Sequence, residues 1–366
     1  MHDATRFAFA FMFPPGMDLL TIDNPIDALA AAVGAQWPAI QKARSAAHER
    51  RAHLASSVSQ LVPREDASFV VFGSLARNEA TSGSDTDWTL LIDGQASATH
   101  LSTQREIWRV VTNVAGKQPG PEGIFGGLTF SHELLHRIGG GDDTNRNLTQ
   151  RILLLLESEP VGPGEAHERV VRGVLTRYVT EDRGWNAKPY AVPRFLLNDF
   201  ARYWRTVAVD FAFKRRDREA EGWALRVLKL RMSRKLTFAS GLLACFSCDF
   251  VDSVAAADDR AQAIIEHLLS ETRRTPLERL AALALTHSFH EAARVLFGAY
   301  DAFLQILDDE ELRLRLKRLS PEDAAGEPLQ ARAQEIGNEF QRGLDMIFFG
   351  ENGTAIPELT RIYGVF

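Results

Sequence analysis

The hydrophobic rhythm changes part-way along the chain. Before about residue 145, short apolar runs alternate with helical spacing, whereas beyond it only helical spacing remains. Residues 68–72, S-F-V-V-F, form a compact apolar run of β-branched and aromatic side chains and predict a strand. Residues 86–93, T-D-W-T-L-L-I-D, predict a second strand, and residues 124–130 a third. A helix is expected over 25–60, with Asn24 as N-cap and Pro25 in its first turn. One or two helical turns are expected over 75–80 and a longer helix over 99–114. From about residue 145 strand signals cease. Amphipathic spacing then predicts helices over 145–158, 165–180, 193–215, 221–246, 256–270, 276–306 and 328–349. The charged, Pro-containing stretch 310–330 reads as an exposed connection. The expected fold class is therefore α+β, a small α/β core followed by a larger all-helical region, with a division at residues 1–144 and 145–366.

The 366 residues suffice for two domains of ordinary size, and 45% hydrophobic with 25% charged residues is a globular balance. A net charge of −6 argues against a protein that coats nucleic acid. The two cysteines, Cys245 and Cys248, permit no disulfide framework. Their C-x-x-C spacing falls in an apolar helical pattern without a second pair, so both read as structural, and such usage fits a reducing cytoplasm. The N-terminal run Phe7–Pro15 is too short to cross a bilayer and reads as a packing strand or arm rather than a signal peptide. No membrane partner is expected, and a homo-oligomer is left open.

The segment with the most chemistry in it runs from Val71 to Ile92: V-F-G-S-L-A-R-N-E-A-T-S-G-S-D-T-D-W-T-L-L-I. Gly73 after a buried strand lets backbone N–H groups approach a phosphate unobstructed by a Cβ. The Ser74 hydroxyl and the start of the following helix add donors for an anion. Asp85 and Asp87 stand at i, i+2, so on extended backbone their carboxylates point to one side. Two such anions repel unless a divalent cation lies between them, and hard Mg²⁺ or Mn²⁺ suits a few carboxylates plus phosphate oxygens.

The order strand, G-S turn, helix, polar turn, D-x-D strand resembles the DNA polymerase beta-like nucleotidyltransferase superfamily. The resemblance covers about 25 residues closely and roughly 65–140 loosely. It implies a nucleotidyltransferase core with a mixed sheet in residues 1–144, Mg²⁺ (or Mn²⁺) as cofactor and an NTP such as ATP as substrate. It further implies that Gly73 and Ser74 contact the triphosphate and that Asp85 and Asp87 bind metal; Arg77 and Ser84 are further nucleotide-binding candidates. The superfamily's third carboxylate lies on a later strand. Glu122 is the first candidate for it, as catalytic base or third acid, and Asp142 and Asp143 are the second. The expected reaction moves a nucleoside monophosphate to an acceptor hydroxyl, on a protein or small molecule ahead of a nucleic acid. Two alternatives stand beside it: a nucleotide-binding regulatory module without turnover, and a zinc protease.

The protease alternative comes from His132-Glu133-Leu134-Leu135-His136, which matches H-E-x-x-H. Against it, Arg137 directly follows the second histidine, and so short a match often arises by chance. A plain helix carrying surface or capping histidines, with Asp143 or Thr144 capping the next helix, is the simpler reading. Residues 214–235 concentrate nine Lys and Arg in an acidic chain. Lys229 and Lys235 are the candidates there for phosphate contacts. A solvated basic face is the bland reading. Arg202, Trp204 and Arg205 could stack on bases, but a core stripe of Phe195, Phe200, Tyr203, Val207 and Phe211 is simpler.

Overall fold

The computed structural model describes residues 24–63, 65–115, 124–182, 191–217 and 222–364. The N-terminal run Phe7–Pro15 and Glu122 lie outside the described residues. The elements run α1 (Pro25–Val33), α2 (Pro38–Val58), β1 (Ala67–Phe72), α3 (Gly73–Ala76), β2 (Trp88–Ile92), α4 (Ala98–Ala115), β3 (Leu128–Phe130), α5 (Ser131–His136), α6 (Asn145–Leu156) and β4 (Ser158–Pro160). Helices then follow one another: α7 (Glu165–Glu181), α8 (Arg194–Asp217), α9 (Trp223–Lys229), a π turn (Leu230–Arg234), α10 (Lys235–Ser247), α11 (Asp252–Ala255), α12 (Arg260–Thr272) and α13 (Pro276–Thr286). The last are α14 (His290–Asp308), α15 (Glu310–Arg318), α16 (Pro328–Phe348), α17 (Ile356–Leu359) and a second π turn (Thr360–Gly364). The α+β class holds: a small mixed sheet near the N-terminus, then helices.

The sheet order is β3-β2-β1-β4, with β1 antiparallel to both β2 and β4, and β3 parallel to β2. Strand alternation splits the buried side chains between two cores. Phe69, Val71, Trp88, Leu90 and Ile92 pack toward Leu54 and Val58 of α2 and Ile107 and Val111 of α4. Val70, Phe72 and Leu91 face the larger core with Ile152 of α6 and Val170 and Val174 of α7. Burial on both faces explains why β1 and β2 read as continuous apolar runs.

Six expectations are corrected. The helix expected over 25–60 is two helices, because Gly34 closes α1 in the left-handed region and Pro38 opens α2 at its first turn. Trp37, between them, stacks on Phe297 of α14 at 4.7 Å. Strand β3 is shorter than 124–130: Gly126 turns at φ +80° beneath Trp108, and the register with β2 runs only from Leu128 to Phe130. Strand signals do not end at residue 145: Ser158-Glu159-Pro160 pairs with Val70–Phe72 as a three-residue edge strand. Finally, 221–246 and 276–306 are each interrupted, by the π turn and by Ser288 at φ +55°, and the expected connection over 310–330 contains α15.

Thr144 caps α6, accepting from Asn147 N–H at 3.2 Å. The two cysteines are free and buried in α10 and its cap, and burial pushes both thiols up. No helix among the described residues is long and apolar enough to cross a membrane.

His167 of α7 ties the helix to the sheet. Its Nε2 lies 2.8 Å from Ser158 Oγ of β4, and its backbone N–H donates to Ser68 Oγ of β1 at 3.1 Å. Burial pulls the imidazole down to about 4. The unfolded chain therefore binds a proton near pH 6.5 that the folded chain refuses until about pH 4, so stability falls with acidification through that window. From pH 7.5 to 5 this residue is expected to cost about 1–2 kcal/mol. Urea midpoints of wild type and His167→Gln at the two pH values check it, and equal pH sensitivity in both proteins would refute the assignment.

Candidate active site

The local sequence builds one wall of a cleft. Strand β1 ends at Phe72, and Gly73 takes φ +64°, a conformation that side chains other than glycine rarely adopt. The chain then makes the single turn of α3, closed by Arg77 N–H to Gly73 O (2.9 Å) and Glu79 N–H to Ser74 O (2.8 Å). Phe72 N–H donates to Asp87 O at 2.9 Å, which fixes the start of β2 beside the end of β1. A Cβ on Gly73 would lie 3.4 Å from Asp87 Oδ2, so the bend and this carboxylate are direct neighbours. Asp85 and Asp87 lie just before β2 rather than in the strand itself.

The turn between them is clamped from α2. Arg50 donates to Thr81 O (3.0 Å) and Ser84 O (3.5 Å), and Thr81 N–H donates to Ser84 Oγ (2.9 Å). The opposite wall comes from the helical region. Lys229, Ser233 and Arg234 all line the cleft with Gly73, Ser74, Arg77, Glu79, Ser84, Asp85 and Asp87. Lys229 and Arg234 are five residues apart, a spacing that an α-helix would splay. The π turn Leu230–Arg234 brings them to one side.

Beneath the cleft lies a buried ion network. Arg77 donates to Glu79 from Nε (2.9 Å) and pairs with it through Nη2 (2.8 Å), while its Nη1 reaches Glu157 at 2.5 Å. Arg234 Nη1 and Thr237 Oγ1 also donate to Glu157, at 2.9 and 3.1 Å. Glu157 is the last residue before β4. Burial alone would raise the Glu157 carboxyl, but Arg77 and then Arg234 outweigh it and hold it below the ordinary value. Glu79 is raised by burial against the pull of Arg77.

Asp87 is pushed up to about 6. Burial is the main cause, and Asp85 and Glu157 add to it against Arg234 and Lys229. Lys229 is lowered, first by the surrounding protein and then by Arg234 and Arg77, with Asp85 and Asp87 opposing. The cleft thus holds a carboxylate and an ammonium that are each held short of full ionic comfort, an arrangement frequent at functional sites.

Of the sequence candidates, Gly73, Ser74, Arg77, Ser84, Asp85, Asp87 and Lys229 meet in this cleft. The donors of Arg77 are largely taken by Glu79 and Glu157. Lys235 stands elsewhere and donates to Gln341 Oε1 at 2.5 Å. Asp143 is occupied by Arg151 (3.2 and 3.0 Å), Arg202 (2.8 Å) and Gly139 N–H (3.0 Å), in a separate network. Arg202 is part of that network, and Trp204 stacks on Phe238 at 5.4 Å. Sequence reasoning missed Glu79, Glu157, Ser233, Arg234 and Arg313. Arg234 fell within the basic segment already singled out, but only the π turn reveals which way it faces.

His132 and His136 of α5 are both exposed, with rings 4.8 Å apart, and Glu133 pairs with Arg137 at 3.5 Å. No group of three His, Cys, Asp or Glu that could hold a metal ion occurs among the described residues. The H-E-x-x-H match therefore lacks a third donor there.

A glycine-serine bend abuts a D-x-D segment at one end of a mixed sheet with cations opposite, the arrangement implied by the resemblance to the nucleotidyltransferase class. Residues 29–115 match the family model described as Putative nucleotidyltransferase DUF294, which supports that class for this part of the chain. No curated protein and no solved structure matches the chain.

Proposed function

We propose that the chain transfers a nucleoside monophosphate from an NTP to an acceptor hydroxyl and releases pyrophosphate, using the cleft between Gly73 and Arg234. The observation that carries this reading is the contact of the Gly73 bend with Asp87, inside a cleft that also holds Asp85, Lys229 and Arg234.

The donor set fits a divalent ion. Asp85 stands exposed at the mouth, and Asp87 beside it ionises reluctantly, so a bound cation would relieve the repulsion between them. Asp85 and Asp87 would hold Mg²⁺ or Mn²⁺, which supplies charge neutralisation of the phosphates and activation of the attacking hydroxyl. The chain's own residues do the rest. Gly73 and Ser74 offer backbone and hydroxyl donors to the triphosphate, and Lys229 and Arg234 offset its charge from the other side. Glu157 keeps Arg234 turned into the cleft. Positioning and charge compensation are the main contributions a protein makes to such a transfer. The acceptor belongs to a small molecule or a protein in this reading.

Incubation with each NTP and Mg²⁺ or Mn²⁺ tests the reading, with pyrophosphate release and the mass of candidate acceptors as readouts. Release that disappears in Asp85→Asn supports it. Binding without release in the presence of acceptors would favour a regulatory module. Asp87 carries a pH signature: Mn²⁺ affinity is expected to fall about tenfold per pH unit below about 6, as a proton competes for the carboxylate. A flat profile between pH 5 and 7 would remove Asp87 from the site.

A further inference from the structure

The cleft has two chemically different ends. At one end Lys229 and Arg234 stand opposite Asp85 and Asp87. At the other, Phe303, Leu304 and Leu307 of α14 and Arg313 of α15 line it beside Gly83.

We propose that Arg313 reads the nucleobase of the NTP, favouring a base with two adjacent hydrogen-bond acceptors, guanine (N7 and O6) or cytosine (O2 and N3), over adenine and uracil. The inference rests on the nucleotidyltransferase reading above and adds the substrate class to it.

The geometry of the guanidinium carries the argument. Nη1 donates to Leu307 O at 2.6 Å and to Ser82 Oγ at 3.2 Å. Ser82 is itself fixed, donating from its N–H to Asp308 Oδ1 and from Oγ to Asp308 O, both at 3.0 Å. One corner of the guanidinium is thereby anchored to neutral acceptors. Its remaining edge, Nε and Nη2, has no hydrogen-bond or ion-pair partner among the described residues. Two parallel donors on that edge match two adjacent acceptors on a base. Adenine's corresponding edge places a donor beside an acceptor, and uracil places N3–H between its two carbonyls.

Gly83 lies against the face of this guanidinium. A Cβ there would come closest to Nε and lie 2.6 Å from Cζ and 2.8 Å from Cδ. So even an approach to all three atoms comes from above the guanidinium plane rather than from its edge. The glycine therefore covers the face, and any larger residue would drive the side chain out of place. Leu307 is the least enclosed of the apolar lining residues and stands nearest to offering the base an apolar surface, with Phe303 and Leu304 buried behind it.

The test measures equilibrium binding of GTP, CTP, ATP, UTP and inorganic tripolyphosphate, each with Mg²⁺, to wild type, Arg313→Met, Arg313→Lys and Gly83→Ala. Wild type is expected to bind GTP or CTP about tenfold more tightly than ATP and UTP. The panel separates the two favoured bases. Arg313→Met and Arg313→Lys should bring the four nucleotides within about twofold of one another while leaving tripolyphosphate unchanged, because lysine keeps the charge and loses the fork. Gly83→Ala should do the same. Equal wild-type affinities, a preference for ATP or UTP, or a loss of tripolyphosphate binding in Arg313→Met that matches the loss for GTP would each overturn the proposal. If neither tripolyphosphate nor any NTP binds wild type, the nucleotidyltransferase reading falls with it. Tight binding of all four alike overturns the base assignment alone.

Discussion

Replacing Asp87 by Asn is expected to stop nucleotide transfer and at the same time to stabilise the fold. The carboxyl sits at about 6 in the folded chain against an ordinary value of 3.8, chiefly because it is buried beside the Gly73 bend. The sign follows from linkage. Below pH 3.8 both states are protonated and there is no penalty. Between pH 3.8 and 6 the unfolded chain releases a proton that the folded chain keeps, so stability declines as pH rises. Above about 6 the penalty is complete, at about 2–3 kcal/mol. Asparagine has nearly the same shape and no charge, so it should recover most of that amount at pH 7.5 and almost none at pH 4. Turnover should drop about 10²–10³-fold, the scale on which a single electrostatic contact to reacting groups is felt. Urea midpoints at the two pH values and pyrophosphate release measure the two effects. A variant no more stable than wild type at pH 7.5 would contradict the electrostatic picture of the cleft, whatever its activity. Gain of stability with loss of function is the pattern expected where a site is strained for its task.

Glu157→Gln is expected to act in the opposite direction on stability. Arg77 and Arg234 converge on this fully enclosed carboxylate, and Thr237 donates to it as well. Removing the charge leaves two guanidinium groups facing each other, one of them almost wholly buried. Breaking one partner out of a buried ion pair costs about 3–5 kcal/mol, and here two pairs share the partner. The same change should release Arg234 from its place in the cleft wall and weaken NTP binding, with a smaller effect at high salt. The double variant Glu157→Gln, Arg234→Met separates the two consequences. It removes the excess positive charge while Arg77 keeps its pairing with Glu79, and should recover part of the stability without restoring a cation to the cleft wall. If Glu157→Gln unfolds at the wild-type urea concentration, the network does not have the role assigned to it.

Those two residues mark the limit of what the sequence discloses. Gly73-Ser74 and Asp85-Asp87 were legible because everything that positions them is local: a buried strand, a bend that needs a glycine, a polar turn and a second buried strand. Lys229 could be named from a cluster of positive charge, but so was Lys235, which faces Gln341 instead. The difference between them is the π turn, which the hydrophobic pattern does not encode. The division of α1 from α2 was written plainly in Gly34 and Pro38, and a stricter reading of helix punctuation would have found it. Strand β4 could not be found that way, since Ser-Glu-Pro has neither alternation nor β-branched residues. It is a strand only because β1 offers it an unpaired edge. Glu157 was missed for the same reason, as its importance comes from partners 80 and 77 residues away.

That three-residue strand also decides how the protein can be cut. The outer rim of β1, Val70 to Phe72, has its N–H and C=O groups satisfied by a segment that arrives only after α6. A recombinant fragment ending near residue 144 would contain every residue of the G-S and D-x-D signature, yet present that rim bare to other copies of itself, an invitation to intermolecular β-pairing and precipitation. Extending the fragment through α7, which lays Val170 and Val174 over the sheet, would restore the cover.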